Sequence, residues 1–421
     1  MTYPETITYL YNSAPLFQNI GQGAYKEGLS TTHALDKYFG HPHHNYRTLH
    51  VAGTNGKGSC SHTLAAILQA AGYKVGLYTS PHLVDFRERI RVNGTPVDEQ
   101  FVVNFVEQHR AFFEPLHPSF FELTTAMAFL YFAEQQVDVA VIEVGLGGRL
   151  DCTNISFDHV GLLGDTLAKI AREKAGIIKP GTPVIIGEHN EETAPIFSQE
   201  ATAKQAPITF AQDTPLYINK ESDVEHDIYH ATPYGDLRAQ LRGYCQEKNV
   251  NTLLHAIGQL QRLDYTISTE AIHEGFAHVC SLTGLMGRWQ ELQTSPRLVC
   301  DTGHNIGGFQ YIVPQLFAQP CKQLRIVFGM VNDKDINGVL ALMPKEAIYY
   351  FAQASVARAL DSESLRALAA QHDLHGTTYP TVIAATQAAL TEAAADDFIY
   401  VGGSSFVVAD LLSSPAYSPA K

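Results

Sequence analysis

The stretch HVAGTNGKGS, residues 50–59, decides how the chain folds. It leaves an apolar run, RTLHVAG (47–53), and enters a helical pattern, GKGSCSHTLAAILQAAG (56–72), that ends on Gly72. Its glycines let the backbone fold tightly enough to aim several N–H groups at one anion, and the helix N-terminus adds the positive end of its dipole. In that setting Lys57 is placed to reach β- and γ-phosphates, and the Ser59 hydroxyl to meet Mg²⁺. The pattern departs from GxxxxGK[ST], because Gly58 separates Lys57 from Ser59. The strand–loop–helix setting is what favours a phosphate loop over a plain glycine-rich turn.

Outward from the loop, short apolar runs alternate with helical patterns. KVGLYTS (74–80) and VDVAVIEVG (137–145) read as buried strands, being nearly continuous in apolar residues, with helices expected near 98–113 and 120–135. Continuous apolar strands separated by helices imply a parallel sheet covered on both faces. The alternation resumes after residue 295, where PRLVCD, QLRIVFG, AIYYFA and DDFIYVGG are the expected strands. Between the halves, SLTGLMGRWQELQTSP (281–296) carries Gly, Ser and Pro without a clear period and reads as a linker. The expected fold class is α/β: a phosphate-loop domain with a mostly parallel sheet over 1–286, and a smaller Rossmann-like α/β domain over 287–421.

The 421 residues, 45% hydrophobic and 17% charged, are enough for two or three cores and too apolar for a disordered chain. Acidic residues outnumber basic ones, 43 to 29, and the formal charge of −14 argues against nucleic acid or anionic membrane as partners, which need a basic face. Six cysteines, at 60, 152, 245, 280, 300 and 321, are scattered without a CxxC pair and read as buried thiols of a cytoplasmic protein. MTYPETITYLYNSAPLF, at the N-terminus, has neither a basic nor an apolar targeting region, so no signal peptide is expected. No uncharged apolar run reaches about 18 residues, so no membrane span is expected either.

A second glycine cluster, EVGLGGRLD (143–151), follows the strand 137–144. A carboxylate at the C-terminal end of a parallel strand, beside a phosphate loop, lies where a metal–nucleotide complex binds. Glu143 is therefore a candidate Mg²⁺ ligand, against the alternative of a tight turn with Glu143 solvated. Ser80, in Ser-Pro-His-Leu, has the same strand-end placement, and its hydroxyl could reach the metal; alone, Ser-Pro is a turn starter. HPHH (41–44) reads as a polar turn between helix and strand rather than a metal tract. No GxSxG elbow, HExxH pair or metal-spaced Cys/His set occurs. With no protein nucleophile in evidence, ATP itself is expected to do the activating, helped by positioning and electrostatic stabilisation.

HVAGTNGKGS, SPHL with FRERIRVNG, FFELTTAMAF, EVGLGGRLDCTN and EKAGII resemble the folylpolyglutamate synthase/dihydrofolate synthase family, a relative of the Mur ligases. LRGYCQEKN, GRWQ, DTGHN, FGMVNDKD and VGGSSF extend the resemblance, in order, over nearly the whole chain. It implies two domains with the active site between them, and ATP-dependent amide formation with L-glutamate. A carboxylate of dihydropteroate, or of a folate glutamyl tail, takes the γ-phosphoryl group; the glutamate amine attacks the acyl phosphate, and phosphate leaves.

Residue by residue, the resemblance implies a phosphate loop of Gly53, Thr54, Asn55, Gly56, Lys57, Gly58 and Ser59. It implies Ser80, Glu143 and His159 as metal ligands beside the Ser59 hydroxyl read from the loop, and Lys174 as a lysine carried as a carbamate, whose oxygen suits hard Mg²⁺. Burial would favour that modification by lowering the amine pKa. Gln246 and Asn249 resemble positions near the adenine, and Arg288 an arginine that meets ATP phosphates. Asp301 and His304 resemble a pair closing over the nucleotide, Asp301 towards the ribose. Lys57, Lys174 and His304 are the implied catalytic groups. Phe120, Phe121, Glu122 and Thr124 would line the folate pocket, although their helical spacing fits core packing equally well. By residue type alone, Lys174 is a helix-surface lysine, Asp301 a helix-capping acid, His304 a surface residue and Arg288 a solvated linker charge.

At one place the chain departs from the family. After Asp151-Cys-Thr-Asn154 the family has a proline-containing loop and another strand before its Asp-His pair. Here Ile155-Ser-Phe157 leads straight to Asp158-His159, about ten residues short. Either 152–157 serves as that strand or the chain carries a local deletion. A Mur-type peptide ligase is the nearest alternative, yet it carries a nucleotide-sugar-binding domain before the phosphate loop, and only 52 residues precede Gly53. The other alternative is a nucleotide-binding switch without ligase activity. The expected partners are small molecules alone (ATP, L-glutamate and dihydropteroate or folate), bound by a cytoplasmic monomer.

Overall fold

The computed structural model describes residues 1–13, 28–144, 166–223, 225–332 and 334–417. The chain divides into two units, Met1–Leu241 with Gln246–Leu285, and Arg242–Cys245 with Met286–Lys421.

In the first unit, β1 (Arg47–Val51), β2 (Val75–Tyr78), β3 (Ile90–Val92), β4 (Thr95–Pro96) and β5 (Val139–Glu143) form a sheet in the order β1-β5-β2-β3-β4. β5 lies parallel between β1 and β2, while β3 and β4 are antiparallel additions. The Val-Ile run of β5 is continuous because both its faces are covered. Val139 and Val141 pack in one core with Leu64 and Ile67, and Ala140 and Ile142 in another with Leu123 and Phe132. The first core is built on the helix Lys57–Ala70, in which every residue from Ser59 to Leu68 is buried. The helix Thr269–Ala277 covers its far side closely. A Cβ on Gly275 would stand 2.5 Å from Ile67 Cα, so only glycine permits this approach.

The second core rests on the helices Glu99–Phe113 and Phe120–Glu134, close to the expected spans. Each starts on a side chain that accepts an orphan backbone N–H: Asp98 from Gln100, and Ser119 from Glu122 in a reciprocal capping box. The HPHH stretch turns between helix and strand, as the sequence implied: His41, at φ +57°, leads into a short 3₁₀ segment, Pro42–Asn45.

Further along, β6 (Val184–Ile186) and β7 (Ile208–Phe210) pair in parallel over a small core containing Ala171, Ala175 and Phe197. β8 (Lys220–Ser222), β9 (Asp227–Thr232) and β10 (Gly235–Ala239) form an antiparallel sheet. Among the described residues β1 has one partner strand, β5, and its Arg47 and Thr48 are exposed. The short 154–158 connection lies outside the described residues.

The second unit holds β11 (Gln290–Thr294), β12 (Arg297–Cys300), β13 (Leu324–Phe328), β14 (Ile348–Ala352), β15 (Gly376–Tyr379) and β16 (Phe398–Gly402), ordered β11-β12-β16-β13-β14-β15. All pairings are parallel except that of β11 with β12. Trp289, Phe309, Phe328, Tyr349, Phe351 and Tyr400 fill one core. The chain is thus α/β with mostly parallel central strands, as expected. The stretch 281–296 corrects the sequence reading, since it contains the end of the helix Val279–Thr283 and all of β11. Gln290-Glu-Leu-Gln-Thr294 has one apolar residue and is held by backbone pairing at a sheet edge, so no apolar run announces it. Among the described residues no helix is long and apolar enough to cross a membrane.

Candidate active site

The phosphate-loop segment runs from the buried end of β1 into the helix that begins at Lys57. Gly56 caps that helix with φ +89°, and a Cβ there would stand 2.5 Å from Asn249 Oδ1, so the position is closed to side chains on two grounds. Lys57 Nζ donates to the loop carbonyls of Gly53 and, at 3.2 Å, Thr54. Ser59 is 3% exposed and its hydroxyl accepts a hydrogen bond from Gln246 Nε2 at 3.3 Å. Asn249 Nδ2 donates to Gln246 Oε1 at 2.9 Å. Gln246 and Asn249, three residues apart on one face of the helix Tyr244–Arg262, therefore meet the Gly53–Ser59 segment itself.

Glu143 is the last residue of β5, in register with Val51 of β1, and is 4% exposed. The backbone N–H of Ser80, two residues beyond β2, donates to its Oε2 at 3.3 Å. The structure thus brings Ser80 and Glu143 together at the C-terminal ends of neighbouring parallel strands. Lys174 lies in the last turn of the helix Leu167–Ala175 and is 2% exposed. It is not the surface lysine its residue type suggested. The signal was present: Ile170, Ala171, Lys174 and Ala175 recur at helical spacing on one buried face. His159 falls outside the described residues.

Two side chains that sequence reasoning left without a role sit just past Ser80. Arg89, 3% exposed, donates through Nε to His82 Nδ1 at 2.7 Å, and its guanidinium lies 5.1 Å from the Phe120 ring centre. His82 Nε2 lies 3.1 Å from the Tyr11 hydroxyl. Nothing in the seven-residue spacing announces this pair. Of the residues expected at a folate pocket, Thr124 is fully buried and meets the Tyr78 hydroxyl at 2.8 Å. Phe121 is partly buried, 5.7 Å from the Tyr78 ring. Glu122 accepts from Ser119 through Oε2 and from Thr32 through Oε1.

In the second unit, Asp301 follows β12. Its carboxylate accepts from the Trp289 N–H at 2.7 Å and the Gly303 N–H at 2.8 Å. Burial pushes this carboxyl up from its ordinary range, while the neighbouring Arg288 charge and the two N–H bonds pull it back. Asp301 is not a helix cap; Asn305 caps the following helix, Ile306–Phe317. His304 Nδ1 donates to the Thr302 carbonyl at 3.0 Å, and Arg288 Nη1 to Gly287 O at 3.3 Å.

The chain is similar to known proteins both in sequence and in fold. The Escherichia coli (strain K12) dihydrofolate synthase/folylpolyglutamate synthase is 36% identical over 378 residues, 86% of this chain and 85% of that protein. The chain belongs to the dihydrofolate synthase/folylpolyglutamate synthase family. The family described as Mur ligase, glutamate ligase domain matches residues 287–405. The solved structure of E. coli FolC in complex with DHPP and ADP has a TM-score of 0.83 and 30% identity, covering 98% of this chain and 97% of that one. The Yersinia pestis bifunctional folylpolyglutamate synthase/dihydrofolate synthase complexed with AMPPNP and Mn ion has a TM-score of 0.79 and 27% identity, covering 98% of each chain.

Proposed function

We propose that this member of the family uses ATP to join L-glutamate to dihydropteroate, to the glutamyl tail of a reduced folate, or to both. The observation that carries the reading is the buried Ser59 hydroxyl at the head of the phosphate-loop helix, in a chain whose Ser80 and Glu143 meet at neighbouring strand ends. The relatives' complexes with ADP, DHPP, AMPPNP and Mn ion support it.

The loop N–H groups from Gly53 to Ser59 hold the phosphates, and Lys57 leaves its loop carbonyls for the γ-phosphate. A substrate carboxylate oxygen attacks the γ-phosphorus, ADP leaves, and an acyl phosphate forms. The glutamate amine then attacks the acyl carbon, loses a proton, and expels phosphate. Turning a poor leaving oxygen into phosphate is why the chain needs no nucleophile of its own.

The residues present fit a hard divalent cation. Ser59, Ser80 and Glu143 offer hydroxyl and carboxylate oxygens, the donor class Mg²⁺ takes. When bound, Mg²⁺ supplies neutralisation of the charge on the transferring phosphoryl group. Lys174, buried in the last turn of its helix, is the lysine proposed to carry the carbamate. His159 completes the proposed metal set. Arg288, Asp301 and His304 are proposed to serve the same nucleotide, and Phe121, Glu122 and Thr124 the pteroate or folate. The test is phosphate release from ATP with dihydropteroate and tetrahydrofolate supplied separately. Release should need L-glutamate with at least one of them; equal release without glutamate overturns the ligase reading.

A further inference from the structure

We propose that Gln246 is a positioning residue that turns the Ser59 hydroxyl towards the divalent cation, an inference that rests on the nucleotide-site reading above. A hydroxyl has one proton and two lone pairs. Gln246 Nε2–H occupies one lone pair of Ser59 Oγ at 3.3 Å, leaving one for a cation and the proton for a phosphate oxygen. The amide turns over only if Asn249 turns with it. Its Oε1 accepts from Asn249 Nδ2 at 2.9 Å, and a reversed amide would set two donors face to face. Asn249 lies beside Gly56, where a Cβ would stand 2.5 Å from its Oδ1. Gln246 and Asn249 are 4% and 7% exposed, so water does not contest these bonds.

Resemblance alone placed Gln246 near the adenine. The hydrogen bonds point to a different task, since its oxygen accepts from Asn249 and one of its two N–H groups donates to Ser59. The two roles predict different behaviour. An adenine contact discriminates between bases and is indifferent to Ser59. A Ser59-orienting amide changes cation affinity for every nucleotide and does nothing once the hydroxyl is gone.

The experiment uses the full chain with ADP and Mn²⁺ as the probe, reading free Mn²⁺ by electron paramagnetic resonance, without folate or glutamate. Gln246→Met should weaken Mn²⁺ binding by about fivefold to tenfold, the net worth of one buried hydrogen bond. In a Ser59→Ala background the same change should cost no more than about twofold. The ratio of ADP to GDP affinity should stay as in the unaltered protein. An equal loss with and without Ser59, or a changed ADP/GDP ratio with Mn²⁺ binding intact, overturns the proposal. Should Gln246→Met not fold, Gln246→Asn, which keeps the amide but withdraws it by one methylene, gives the same decision. Because no ligase turnover is read, a failure of the ligase reading would show separately, in the glutamate dependence of phosphate release.

Discussion

Arg89 donates through Nε to Nδ1 of His82 across 2.7 Å, and that bond fixes the charge of the imidazole. Nδ1 must present its lone pair, so the ring proton sits on Nε2 and points to the Tyr11 hydroxyl at 3.1 Å. Burial, and then the Arg89 charge, hold the His82 pKa well below the ordinary histidine range. A base whose pKa is depressed on folding lends stability above its unfolded pKa and loses it as pH falls towards the folded one. His82 should therefore contribute to acid sensitivity from about pH 6.5 downwards. His82→Gln can still accept from Arg89 and donate to Tyr11 but cannot titrate. Its urea unfolding free energy should fall less between neutral and mildly acidic pH than that of the unaltered protein; parallel curves would refute the assignment.

Lys57 rests on the carbonyls of Gly53 and Thr54, which any phosphate-bound state must outcompete. Lys57→Ala should lower ATP turnover by at least about a hundredfold, the usual loss when a preorganised charge-stabilising donor is removed. Thermal unfolding without nucleotide should change little. Near-normal turnover would remove the phosphate-loop assignment.

Gly56→Ala adds a methyl where φ is +89° and Asn249 Oδ1 would lie 2.5 Å away. The left-handed conformation alone costs about 1–2 kcal/mol, and displacement of Asn249 adds to it. Calorimetry should show both a lower melting temperature and weakened ADP binding. Retention of both would mean that the loop tolerates another path.

Lys174, 2% exposed in the last turn of its helix, separates two readings of a buried lysine. If it carries a carbamate, Lys174→Met loses activity while Lys174→Glu, which keeps an anionic oxygen, retains more of it. Added acetate should restore part of the Lys174→Met activity. Full activity in Lys174→Met, without any addition, would exclude a carbamate role.

What could be read from the sequence follows from how each element is stabilised. β5 and β2 are legible because both their faces are buried, which demands an unbroken apolar run. β11 and β15, Gln290–Thr294 and Gly376–Tyr379, are edge strands held by backbone pairing, and their mixed composition gives no such signal. The phosphate loop is legible because glycine, lysine and serine are needed at fixed local spacing. The contacts of Gln246 with Ser59 and of Arg89 with His82 join side chains by tertiary packing, and a single sequence carries no record of them. Lys174 stands between these cases, since helical period alone would have placed it on the buried face.

The second unit takes in Arg242–Cys245 as well as everything from Met286. Within it, the Tyr244 N–H donates to Gln315 Oε1 at 3.3 Å, and Arg242 pairs with Glu291 at 3.6 Å. A gene fragment starting at codon 286 would thus encode a body lacking four of its own residues. A chimaera that borrows this half from a relative would set foreign partners against the resident Tyr244 and Arg242. Exchange of the glutamate-ligase half by recombination therefore takes two separated segments of the gene, not one cut.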